Sequence, residues 1–150
     1  MKYRLSERHK LLRIIAKMLV PPIMLFGLYV QFHGDYGPGG GFQAGIIFAT
    51  GIALYGIVFG LDKAKAVFPM GWARALVAGG VLLYAGTGVW SMLRGAQFLN
   101  YNVLAHEVAH AQHYGILLVE FGVGMTVAGV IIAIFYSFAG RPPRMSDEDW

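Results

Sequence analysis

Three groups of residues have types and spacings that could do chemistry. The first, His106-Glu107-Val108-Ala109-His110, spells the HExxH pattern of zinc peptidases. There, imidazoles at i and i+4 hold zinc and the glutamate acts as general base. The pattern fixes only three residues. His113 follows the second histidine too closely to be the third ligand of the extended motif, which lies six residues on. With the rest of a peptidase site missing, His106, Glu107 and His110 read as a decoy. No metal site is expected there, and the histidines are taken to meet a partner subunit or solvent. A membrane metallopeptidase is the weakest alternative, and incidental metal binding by His106, His110 and His113 a minor one.

The second group is the stretch from His33 to Gly45, which reads His-Gly-Asp-Tyr-Gly-Pro-Gly-Gly-Gly-Phe-Gln-Ala-Gly. A glycine-rich loop ahead of a helix can cradle phosphate on its N–H groups. A phosphate-binding loop would continue into Lys and Ser or Thr, whereas Phe42 and Gln43 follow here. Nucleotide binding is therefore rejected. Gly34, Pro38, Gly39, Gly40, Gly41, Phe42 and Gln43 instead predict an ordered re-entrant turn packed against protein, glycine supplying positive φ and close approach. The alternative is a flexible external turn. The third group is one residue, Glu120, a carboxylate inside an apolar run. A charge there must be paired, protonated or turned toward a polar route. Either it packs structurally, or it contacts a proton or cation, or it reaches external water. With Asp35 and His33 it forms the set of ion-pathway candidates.

The elements that must position these groups are apolar to an unusual degree. Of 150 residues 57% are apolar or aromatic and only 13% charged, about half the charge of an ordinary soluble domain. With no cysteine, disulfides and thiolate metal sites are excluded. Four apolar segments, Ile14–Phe32, Gly45–Leu61, Trp72–Leu93 and Gly115–Phe138, are each near the ~20 residues a helix needs to cross a bilayer. They lack the polar stripe of a soluble bundle. The expected fold is thus an all-α membrane protein of four transmembrane helices. Pro21-Pro22 is expected to bend or restart the first helix. That helix is read as an uncleaved span, with Lys17 snorkelling to the interface. On this numbering Glu120 falls about six residues, roughly 9 Å, into the fourth span.

Of the twelve Lys and Arg residues, eleven fall on one side of such a bundle and only Arg94 on the other. Positive charge marks the cytoplasmic side, so both termini are expected to be cytoplasmic. The chain divides into a cytoplasmic segment (1–13), a membrane domain (14–138) and a cytoplasmic tail (139–150). This distribution also accounts for the net charge of +4 without a nucleic-acid partner. Glycines within the spans, such as Gly56, Gly80, Gly88, Gly122 and Gly129, suit close helix–helix approach. Four helices alone enclose no roomy aqueous path, which points to a subunit of something larger.

The phrases Tyr29-Val30-Gln31-Phe32-His33-Gly34 with Pro38-Gly39-Gly40-Gly41-Phe42-Gln43-Ala44-Gly45, and Gly115 through Gly129, resemble the B subunit of Mrp-type multisubunit Na⁺/H⁺ antiporters. The resemblance runs from the first helix to Phe138. That family usually has Ser or Thr where Gly37 stands and His where Asp35 stands. The resemblance implies a non-enzymatic membrane subunit of a cation/proton antiporter in the bacterial plasma membrane, without a cofactor of its own. Its partners would be other antiporter membrane subunits, the lipid bilayer, and Na⁺ and H⁺ as transported ions. The alternative it leaves open is a structural scaffold in a related membrane-bound hydrogenase or complex-I-like assembly.

Overall fold

The computed structural model describes residues 2–34, 38–105 and 107–141. Five α-helices follow in order: α1 (Lys2–His33), α2 (Gly41–Phe59), α3 (Leu61–Val67), α4 (Met70–Leu93) and α5 (Val108–Ala139), with one 3₁₀ turn at Tyr101–Val103. Four stretches are long and apolar enough to cross a membrane: Lys10–His33 within α1, and α2, α4 and α5 entire. Large apolar side chains such as Met18, Leu25, Leu82 and Leu93 are more than 60% exposed. Only lipid or another protein could cover so many of them favourably.

Small residues set how the helices meet. Helix α2 runs antiparallel to α1, Gly27 lying against Phe48 near one end and Gly51 against Met24 further along. It runs parallel to α5: Gly41 meets Glu120, Gly45 meets Gly124, and Gly56 meets Phe135. Helix α4 packs antiparallel on another face of α5, where Gly80 meets Gly122 and Thr126 while Gly129 meets Ala73. In membrane helices such small residues let backbones approach closely. The core holds Ala49, Ile52, Ala64, Ala73, Ile132 and Tyr136. The Tyr136 hydroxyl donates a 2.9 Å hydrogen bond to the Phe68 carbonyl, tying the end of α5 to the α3–α4 link.

The structure departs from the sequence expectation in three places. Helix α1 does not restart at Pro21 and Pro22, which lie inside one 32-residue helix. A proline ring withholds a hydrogen bond but fixes φ at a helical value, and membrane helices tolerate that loss. The Asp62–Gly71 connection contains helix α3, entered through Gly60 at φ 98°. Helix α5 begins at Val108, not Gly115. Its extra two turns are polar, but they pack: Ala111 is fully buried, Gly115 sits under the Tyr101 ring, and Gln112 Nε2 donates to Asn102 Oδ1 at 2.6 Å.

Candidate functional site

Between α1 and α2, the described glycines Gly34, Gly40 and Gly41 lie against the flank of α5. Gly40 caps α2 with φ 123°, a conformation open to glycine and strained for other residues. Its carbonyl accepts the first helical bond, from Ala44 N at 3.0 Å. Gly41 follows so close to α5 that a Cβ there would strike the Glu120 carbonyl and lie 2.9 Å from Gly124 N. Beside it, a Cβ on Gly34 would stand 2.7 Å from Glu120 Oε2, and one on Gly40 3.0 Å from Glu120 Oε1. The three glycines thus form a notch that the Glu120 carboxylate fills.

This seat has an electrostatic character. Helix α2 has no side-chain cap of its own, and its first N–H groups cannot bond within the helix. Together with the helix dipole they make this end of α2 positive. Glu120 brings its carboxyl group to that end from another helix, and helix N-termini are where anions are held. Its position along α5 also changes. Measured from Val108, Glu120 lies twelve residues in, about 18 Å along the axis and close to the middle of the helix. The 9 Å read from the sequence was counted from the start of the apolar run at Gly115, and the two polar turns before it account for the difference.

Of the other candidates, His33 ends α1, partly buried, with its ring stacked on Tyr29 at 5.1 Å between centroids. Pro38 and Phe42 are exposed, as is Gln43, whose Oε1 approaches Gly40. Gly39 is close against Val30 of α1. Asp35 lies outside the described residues, so the structure does not relate it to Glu120. Sequence reasoning passed over Gln31. Its side chain is buried at 5% exposure with Oε1 packed against Gly124, one turn beyond Glu120. The signal was present: an amide inside an apolar helix is as conspicuous as a carboxylate, though less costly.

The HExxH segment has a different geometry from that of a zinc site. A zincin carries both histidines on one continuous helix, whereas α5 starts only at Val108. His106 lies outside the described residues. Glu107 precedes the first turn of α5, and its carboxylate sits 3.0 Å from His110 Nδ1, both side chains about 70% exposed. Such a surface pair contributes little to stability. Among the described residues no group of three or more His, Asp or Glu could hold a metal.

Four membrane-length helices around glycine seams, with a carboxylate seated against a glycine loop, define a polytopic membrane protein. Residues 11–133 match the domain family described as "Domain related to MnhB subunit of Na+/H+ antiporter". A Staphylococcus epidermidis protein named "Putative antiporter subunit mnhB2" is 30% identical over 139 residues, covering 91% of this chain and 98% of the relative. The Staphylococcus aureus protein of the same name matches with the same identity and coverage. The chain belongs to the MnhB family. Its members are described as parts of a transporter, not as enzymes.

Proposed function

We propose that this chain serves as a membrane subunit of a multisubunit Na⁺/H⁺ antiporter and that Glu120, seated in the glycine notch, lies on the ion route it shares with other subunits. The observation that carries the reading is the placement of an ionisable group within the membrane-length helix α5, its carboxylate against Gly34 and Gly40 at the α1–α2 connection. His33 at the end of α1 stands toward the same end of the bundle, and Asp35, two residues further along the sequence, is the third candidate group. Charge supports an orientation for the route. Lys17 lies over Phe59, Lys65 over Tyr136 and Arg141 over Phe138, all at one end of the bundle; Arg94, over Trp90, is at the other. The basic end is assigned to the cytoplasm, with both termini and the tails 1–13 and 139–150, and the glycine loop to the outside of a bacterial plasma membrane.

A second reading draws on the same geometry. Glu120 could act only as the cap that α2 lacks, in a scaffold subunit of a hydrogenase-type or complex-I-like assembly. Glu120→Gln separates the two, because the amide still accepts hydrogen bonds but can neither ionise nor carry a proton. Respiration-energised vesicles containing the whole complex, with a pH-sensitive dye, report proton exchange when Na⁺ is added. The ion-route reading expects an assembled Glu120→Gln complex with exchange lost and Glu120→Asp partly active. Wild-type exchange by assembled Glu120→Gln would leave only the capping role.

A further inference from the structure

One end of the bundle is ringed by positive charge. Helix α1 brings Lys10, Arg13 and Lys17, and their spacing of three and four residues keeps them on one face over two turns. Helix α3 adds Lys63 and Lys65, α4 adds Arg74 near its start, and Arg141 follows the end of α5. All of these side chains are exposed. Between Lys10 and Arg141, Asp62 is the one carboxylate at this end among the described residues. The one salt bridge among the described residues, Glu107 with His110, lies at the other end. Toward the chain ends the sequence adds Lys2, Arg4, Arg8 and Arg144 against Glu7, Asp147, Glu148 and Asp149. These cancel, so the positive excess stands.

The placement of the cations narrows what they meet. Lys17 Nζ lies 5.7 Å from the centre of the Phe59 ring, Lys65 Nζ 6.0 Å from that of Tyr136, and Arg141 Cζ 5.0 Å from that of Phe138. Each stands beside an aromatic ring at the end of a membrane-length helix, the level at which apolar surface gives way to lipid headgroups. Basic side chains there keep their stems in hydrocarbon and their charge among the headgroups. The cations come from α1, α3, α4 and the end of α5. A neighbouring helix along one flank would meet only some of them, whereas a lipid leaflet surrounds them all. On α5, Phe138, Ile134 and Ile131 are exposed at intervals of four and three residues, an apolar lane leading inward from Arg141. Positive charge above and bare hydrocarbon surface below match the phosphate and acyl chain of an acidic phospholipid. At the other end, Arg94 over Trp90 is the one Lys or Arg among the described residues.

We propose that this basic end holds acidic phospholipids in preference to zwitterionic ones, with Lys63, Lys65 and Arg141 against their phosphates. The proposal is independent of the antiporter reading. A tryptophan at each end supplies the test: Trp72, beside Phe68 at the basic end, and Trp90, beside Arg94 at the other. Full-length chains keeping only one of the two, with the other and Trp150 replaced by Phe, are placed in vesicles of equal parts phosphatidylglycerol and phosphatidylcholine. Both leaflets are then alike, so orientation does not enter. One lipid or the other carries brominated acyl chains, which quench a tryptophan they touch. At Trp72 the acidic lipid is preferred on the order of fivefold, the enrichment a single surface cation supplies, and at Trp90 the two lipids quench alike. Lys63→Gln with Lys65→Gln lowers the preference at Trp72 and leaves Trp90 unchanged, and high salt acts in the same direction. Equal quenching by both lipids at Trp72, or the same preference at both ends, overturns the proposal. Neutralising the chain's own acidic residues (Asp147→Asn, Glu148→Gln, Asp149→Asn) leaves the preference as it is; a rise would make that segment the occupant and overturn it. In native membranes a carbodiimide, which joins amines to touching carboxylates, gives no adduct of Lys63 or Lys65 with another protein. Such an adduct would assign the patch to an acidic partner subunit and overturn the proposal as well.

Discussion

Replacing Gly41 by alanine tests the closest contact in the fold with one methyl group. The new Cβ would strike the Glu120 carbonyl oxygen, stand 2.8 Å from its carbon and 2.9 Å from Gly124 N. All three neighbours are backbone, so no side chain can rotate away. Relief requires α2 and α5 to separate along the seam that also holds Gly45 against Gly124. Overpacking of this kind costs about 1–3 kcal/mol, and a backbone collision belongs toward the upper half of that range. Against it stands the helical preference for alanine, worth up to ~1 kcal/mol in a helix interior and less in a first turn. The expected net loss is about 2 kcal/mol, roughly a thirtyfold fall in the folded-to-unfolded ratio. Gly86→Ala is the control, because a Cβ on that α4 residue meets nothing within 4 Å. It should be neutral or slightly stabilising. Unfolding followed by helical circular dichroism in mild detergent compares the two with wild type. A Gly41→Ala chain as stable as Gly86→Ala would refute the argument that backbone approach holds α2 to α5.

Three further outcomes are expected. A cysteine placed at Asp35 (Asp35→Cys) should react with an impermeant thiol reagent from outside intact cells and one at Lys65 (Lys65→Cys) should not; labelling of the Lys65 variant from outside would invert the proposed orientation. Gly40→Val puts a β-branched residue at φ 123° beside Glu120 Oε1, a strain of about 1–3 kcal/mol, and should abolish cation resistance in growth assays; full resistance with normal assembly would make the loop a passive turn. Glu107→Gln removes a carboxylate that faces mainly His110 and solvent, so Na⁺-dependent proton exchange should survive unchanged. Peptidase activity that Glu107→Gln abolishes would overturn the decoy reading.

The four spans were legible because length and continuous apolarity are read directly from residue order. Their ends were less so, since chain ends are set by packing. The polar turns that begin α5 look like loop until Gln112 is seen bonded to Asn102 and Gly115 beneath Tyr101. Helix α3 has only seven residues, too few for periodicity to register, and depends on Gly60 turning the chain. Glu120 and the glycine run each stood out in the sequence, but that one fills the other could not be read there. Their meeting depends on α2 and α5 being parallel, a fact of topology. Gln31 was overlooked because an amide carries no charge to flag it; only its burial against Gly124 marks it out.

The parallel pairing of α2 with α5 has a consequence for how the chain is made. The α1–α2 and α4–α5 hairpins can close as soon as their second helix emerges. The Gly41 and Gly45 seam must wait for Glu120 and Gly124, roughly 80 residues later, or about 4–16 s at ordinary rates of synthesis. During that interval α2 stands in the bilayer with its small-residue face bare, and other helices can sample it. The last step of biogenesis is thus the arrival of α5, which joins both hairpins at once.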